Sequence, residues 1–297
     1  MNYLRTWRTG LWAFRAARVR RPGAHSPAKG GPHEASSVVT CVAMLGALVV
    51  VALAFTSCSD DGRPKVRIAA ASDVRLAFEE MEPKFEEACQ CNVVFSFGSS
   101  GTLAAQIEEG LPVDAFFSAN EAYVDTLNER GLIAPGTTRL YAIGRIVLAT
   151  PAGLPKLERL DQLEGEEIRR IALANPDHAP YGLAAKEALR ATGVWEQVES
   201  KIVLGENASQ ATTFVQSGNA EAGIIPLSLA MQNSDDITFT IIDDRLHGPL
   251  RQSVAVLKDT AEAERAGMFV DFVLGPGAET MRAYGFDLSG EAVNGGD

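Results

Sequence analysis

Histidine, cysteine and tryptophan are all scarce in this chain of 297 residues, with four His, four Cys and three Trp. So few cysteines exclude a disulfide-dense scaffold as a description of the whole chain. The histidines are His25, His33, His178 and His247, and none has a second His or Cys at metal-ligand spacing. No metal centre is therefore legible, and His178 and His247 read as solvated turn residues. Positive charge is in deficit too: 27 Lys and Arg stand against 38 Asp and Glu, a net charge of −11. An acidic body makes nucleic acid a poor partner, because backbone binding runs on clustered Lys and Arg. A small anion stays compatible, since a local pocket can oppose the global field. Signature motifs are missing as well. GSSGT at 98–102 lacks the lysine and glycine spacing of a phosphate loop, no dinucleotide fingerprint occurs, and there is no GxSxG elbow or HExxH helix. The sequence gives no support to an enzyme and implies no cofactor.

What is present begins with an uneven charge distribution. Residues 1–57 carry a charge of +6 and the remainder −17. From Val38 to Phe55 run 18 uncharged residues, with Arg and Lys ahead of them and small residues beyond. This is the pattern of an export leader, and its length also admits a signal anchor. The segment AFTSC, ending at Cys58, resembles the cleavage site of bacterial lipoproteins, in which the cysteine is acylated and becomes the mature terminus. Phe55 stands where such sites usually carry Leu. The expectation is an exported protein, periplasmic or on the cell-envelope side, held to a membrane by lipid at Cys58. Cys41 lies in the apolar run, leaving Cys89 and Cys91, which are expected to be two partly buried thiols near a helix end.

Residues 58–65 read as a polar linker, and order is expected from Val66. VRIAAA reads as a buried strand. Val74, Ala77, Phe78, Met81, Phe85 and Ala88 then mark one face of a helix, which Pro83 should kink or interrupt. The alternation continues with strand NVVFSFG, helix LAAQIEEG, strand VDAFFSAN, helix EAYVDTLNERG and strand RIVLAT. A second block runs IRRIALA, helix YGLAAKEALRATG, KIVLG, helix ENASQATTFVQSGN, strand AEAGIIPLSLA interrupted by Pro226, ITFTII, RQSVAVLK and one final helix AERAGMFVDFVLGPGAETMRAYGF. Strands alternating with helices argue for an α/β protein with parallel sheets covered on both faces, and about eight such units exceed one compact sheet. The expected lobes are 66–146 with 250–297, and 147–249. Two sequential domains satisfy the same spacing. Ser72, Ser99, Ser100 and Thr102 fall where strands give way to helices, at sheet edges whose helix starts offer unpaired amides to an anion.

IAAASDVRLAFEE, SFGSSGTLAAQIEEGLPVDAFFSAN, ANPDHAPYGLAAKEAL, SGNAEAGIIPLSLA and MRAYGF, in this order over 66–288, resemble the molybdate-binding components of bacterial ABC importers. The resemblance implies a two-lobed periplasmic binding protein fold of the type with two crossover strands (type II), with the ligand in the interlobe cleft. It implies capture of molybdate, with tungstate also accepted, and delivery to ABC importer permease subunits by a monomeric carrier. Carried over by motif, the oxyanion-binding residues are Ser72 and Ser100 through hydroxyls, and Tyr181 and Ala208 through backbone N–H groups. Pro226 stands where relatives carry a tyrosine hydroxyl, so a donor is expected from elsewhere, from water or Ser228, or the site makes do with fewer bonds. A donor-only wall suits an anion without protons, and Asp73 should point away from the pocket or cap its own helix. A binding protein for sulfate or another oxyanion, or an exported sensor or structural lipoprotein, is the alternative.

Overall fold

A computed structural model describes residues 62–288. The leader, the apolar segment and Cys58 lie outside the described residues. In β1 (Lys65–Ala71), Ile68 and Ala70 face one core and Ala69 another. The same division separates Phe117 from Phe116 in β3 (Ala115–Ser118). Burial on both faces is why these strands read as continuous apolar runs.

Two five-stranded sheets result. The first has the order β2 (Asn92–Gly98), β1, β3, β10 (Leu250–Val256), β4 (Arg139–Gly144). The second has the order β7 (Ile202–Gly205), β6 (Ile171–Ala174), β8 (Ala222–Pro226), β5 (Ile146–Pro151), β9 (Ile237–Ile241). Each sheet is mixed rather than wholly parallel. β10 runs antiparallel to β3 and β4, and β5 runs antiparallel to β8 and β9. These are the two strands that arrive from the other sheet without a crossover helix, so the rule that makes βαβ neighbours parallel does not act on them. The chain passes from β4 to β5 through Arg145 alone, and returns between β9 and β10.

Helix α1 (Arg75–Cys89) runs through Pro83 without a break. Phe78, Met81 and Phe85 are buried on either side of it, and Phe78 and Phe85 meet Phe269 at centroid distances of 5.3 and 5.0 Å. Burying each such side chain stabilises by about 1.5–3 kcal/mol, which together outweighs a helical proline's cost of about 3 kcal/mol. Cys89, not Ala88, completes the buried face. There the helix ends, because Gln90 adopts the left-handed conformation with φ of 50°. That reversal brings Cys89 and Cys91 to a Cα separation of 5.2 Å, within ordinary disulfide range, and they are bonded rather than free thiols.

Two other expectations are corrected. Pro226 does not interrupt a strand but ends β8, and α7 (Leu227–Gln232) follows immediately. Proline has no N–H to continue the ladder, and its φ of −60° suits a helix start. The last helical stretch is split at Gly275-Pro276-Gly277 into α8 (Ala263–Leu274) and α9 (Ala278–Ala283). Strand β4, unread in the sequence, supplies the edge of the first sheet beside the crossing.

Candidate functional site

The strand-to-helix junctions of both lobes converge on one place. Ser72 opens the 3-10 turn Ser72–Val74 directly after β1. Ser100 is the first residue of α2 (Ser100–Glu108), whose cap Ser99 accepts a hydrogen bond from the Thr102 amide. From the second lobe come α4 (Pro180–Ala191), with Pro180 first and Tyr181 second, and α6 (Ala208–Gln216), capped by Asn207. Ser72, Ser100, Tyr181 and Ala208 line a single cavity together with Gly98 and Ala179. Its volume is about 10 Å³, about what a single water needs, so an extended ligand has no room there. Residues at the start of a helix have no intrahelical acceptor for their N–H groups, and the partial positive charge of those ends favours an anion.

The two serines are set as donors by what they already accept. The Ser100 hydroxyl accepts from the Ala119 amide at 2.9 Å, and the Ser72 hydroxyl accepts from the Ser209 amide at 3.2 Å. A hydroxyl has one proton to give, and among the described residues neither serine has an acceptor for it. Both protons are thus left for a ligand inside a wall where Ser72 is 2% exposed and Ser100 fully buried.

Asp73 also lines this cavity, which the sequence did not lead us to expect. It does not cap its own helix. Its Oδ2 accepts from the Tyr181 hydroxyl at 2.8 Å and from the Gln252 amide at 2.7 Å, while Gln252 also donates to the Tyr181 oxygen at 2.8 Å. Burial pushes the Asp73 carboxyl up from its ordinary value, against the lowering effect of the bonds from Tyr181 and Gln252. Tyr181 therefore crosses the cleft with its side chain as well as presenting its backbone. Gly144 permits this, because a Cβ there would overlap the Tyr181 hydroxyl.

Pro226 and Ser228 are not among the cavity's walls. Ser228 lies one step behind, its hydroxyl donating to the Asp73 carbonyl at 3.0 Å, so its proton is already committed. His178 is no solvated turn residue either. Its Nδ1 lies 2.7 Å from the Ser99 hydroxyl and its carbonyl accepts from the Gly101 amide at 2.9 Å, both across the cleft. A Cβ at Gly101 would sit 2.8 Å from that carbonyl oxygen, which is the local reason for glycine. The His247 ring is likewise buried, with 2% of the side chain exposed. The signal that could have exposed His178 is its place in the turn that feeds α4, three residues before Tyr181.

A wider space of about 320 Å³, lined by Phe97, Gln106, His178 and Glu206, shares Gly98 and Ser99 with the small cavity. Two larger cavities, about 420 and 450 Å³, lie elsewhere, against Leu160 and Ile242 in one case and Pro112 and Thr260 in the other. The hydroxyls they hold, Thr192, Thr240 and Thr260, already donate to protein acceptors, whereas Ser72 and Ser100 do not, so chemistry and not size singles out the small one. No group of three or more His, Cys, Asp or Glu residues able to hold a metal ion occurs among the described residues.

Two α/β lobes joined by two crossings, with a small cavity at their junction lined by helix starts of both, define a two-lobed binding protein of type II. The chain belongs to the family of bacterial extracellular solute-binding proteins, which matches residues 66–287 and is a family of carriers, not enzymes. It is 32% identical to the molybdate-binding protein ModA of Rhodobacter capsulatus over 75% of this chain and 88% of that protein. It is 30% identical to a putative ABC transporter substrate-binding lipoprotein, YvgL, of Bacillus subtilis over 82% of this chain and 95% of the relative. Among solved structures, the periplasmic molybdate-binding protein of Azotobacter vinelandii superposes with a TM-score of 0.70 at 30% identity, covering 75% of this chain and 99% of that one.

Proposed function

We propose that this protein captures molybdate, and tungstate with it, in the cleft between its lobes and delivers the anion to the permease of an ABC importer. The observation that carries the reading is the pair of buried serine hydroxyls, Ser72 and Ser100, each accepting from a backbone amide and so left with a free proton facing one small cavity. The Tyr181 and Ala208 amides, at two helix starts of the opposite lobe, complete the donor set. An anion that carries no proton offers only acceptors, which such a wall matches. Similarity to molybdate-binding relatives supports the choice among oxyanions.

The lobes are taken as 66–146 with 250–297, and 147–249, so that closure turns on the two crossings between the sheets. Family and leader together support export to the periplasmic or envelope side. Cys58 is proposed as the lipid-bearing mature terminus of a monomeric carrier, so that C58A would free it from membranes. The test of the central reading is a calorimetric competition titration of the purified protein. Molybdate and tungstate should compete for one site while sulfate and phosphate fail to displace them. Tight binding of sulfate or phosphate with none of molybdate would overturn it.

A further inference from the structure

Three buried polar atoms beneath the cavity have no partner: Asp73 Oδ1, Gln252 Oε1 and the Tyr141 hydroxyl. Two of them belong to groups already joined by one edge, since the Gln252 amide donates to Asp73 Oδ2 at 2.7 Å. Both remaining atoms of that pair, Oδ1 and Oε1, are acceptors while the carboxyl is ionised, so neither can satisfy the other. A proton on Oδ1 would turn an orphaned acceptor into a donor, beside an amide whose own oxygen is an orphaned acceptor. While the carboxyl is ionised both atoms stay unpaired, which is costly in a buried site.

The bonds from Tyr181 and Gln252 favour the ionised form, but burial opposes it more strongly. Asp73 is 2% exposed, and no cation among the described residues pairs with it. The titratable groups set against it are two tyrosines, Tyr181 from α4 and Tyr141 from β4, both held well above their usual values chiefly by burial and then by the Asp73 charge. β10 presents the neutral Gln252 and α7 presents Ser228. On the adjoining helix Arg75 is engaged with Glu79 and lies over the Phe97 ring. Burial drives the Asp73 carboxyl toward its neutral form already in the empty site. An oxyanion in the cavity that Asp73 itself lines adds like-charge repulsion in a place screened from water.

We propose that Asp73 is protonated in the anion-loaded protein, so that capture of the oxyanion takes up one proton from solvent and leaves the wall uncharged. This rests on the proposed oxyanion site and deepens it. One O–H bond forms at Asp73, the proton comes from the buffer, and the anion stays unprotonated. The device also sets specificity. An ionised Asp73 would be an acceptor and would favour anions that keep a proton, such as hydrogen phosphate, whereas a neutral Asp73 engaged with Gln252 offers no acceptor to them.

The sign follows from linkage: the loaded protein binds one more proton than the empty one wherever pH exceeds the empty protein's Asp73 pKa. Molybdate should be titrated calorimetrically between about pH 6 and pH 9, where it carries no proton, in buffers of different ionisation enthalpy. Above the empty protein's pKa, the dissociation constant of the full protein should rise by about tenfold per pH unit, with uptake approaching one proton. The D73N variant should show a flat profile. The buffer dependence is read on the unaltered protein, so the test survives a variant that fails to fold. PH-independent affinity without proton uptake would overturn the inference, as would a D73N profile as steep as that of the parent, or a preference for hydrogen phosphate that D73N abolishes. Absence of molybdate binding at every pH would instead defeat the functional reading itself.

Discussion

At the scale of single residues, the site turns on where four hydroxyl groups send their protons. Ser72 and Ser100 keep theirs for a ligand, Ser228 gives its proton to the Asp73 carbonyl, and Tyr181 gives its own to the Asp73 carboxyl. A hydrogen bond to a charged partner is worth about 1.5–3 kcal/mol, so S72A and S100A should each weaken molybdate binding by about ten-fold to more than a hundred-fold. Each substitution also strips an acceptor from a backbone amide, Ser209 or Ala119, which can destabilise the empty protein by about 1–3 kcal/mol. Thermal unfolding without ligand separates the two effects. Unchanged affinity in both folded variants would contradict the assignment, and loss of wild-type binding in high salt alone would indicate attraction by charge rather than by these donors. The serines were legible in the sequence because strand-to-helix junctions with small hydroxyl residues have a local meaning. The side-chain roles of Asp73, Tyr181 and Gln252 were not, because their meeting joins positions 71 to 179 residues apart.

At the scale of elements, the site is made by helix starts, and most of these were readable from apolar periodicity and caps. The misreadings have physical causes. Pro83 was expected to kink or interrupt α1, but the helix is not interrupted, because packing of Phe78 and Phe85 against Phe269 outweighs the local penalty. Pro226 marks the end of β8 rather than a fault within it, and β4 went unread because its partners are remote in sequence. The turn before α4 carries the consequence that sequence hid most. His178 bridges to Ser99 at 2.7 Å across the cleft, beside a carbonyl held by the Gly101 amide. A neutral hydrogen bond of this kind contributes about 0.5–1.5 kcal/mol, so H178A should speed molybdate release by about two- to ten-fold with little change in association rate. Stopped-flow displacement measures both rates. Equal changes in the two rates, or none, would show that the contact is not a clasp on the closed cleft.

At the scale of the whole molecule, an acidic chain of net charge −11 holds a site proposed for anions, and the contradiction resolves locally. In the proposed site, capture is left to dipoles and neutral donors, whose fields act over the short distance inside a small cavity and hardly alter the charge outside. Lobes of mixed sheet, each entered by one antiparallel strand from the other, bring helix starts of both halves to the same cleft. The sequence foretold two α/β lobes but not the antiparallel strands, because strand direction depends on the route between sheets and leaves no pattern in composition. The most direct test of the account is a crystal structure of the molybdate complex, with molybdenum located by its anomalous scattering. The metal peak should fall in the cavity lined by Ser72, Ser100, Tyr181 and Ala208, with its oxygens about 2.7–3.2 Å from both serine hydroxyls and from the Tyr181 and Ala208 amides. A peak in one of the larger cavities, or oxygens that bypass both serines, would contradict it.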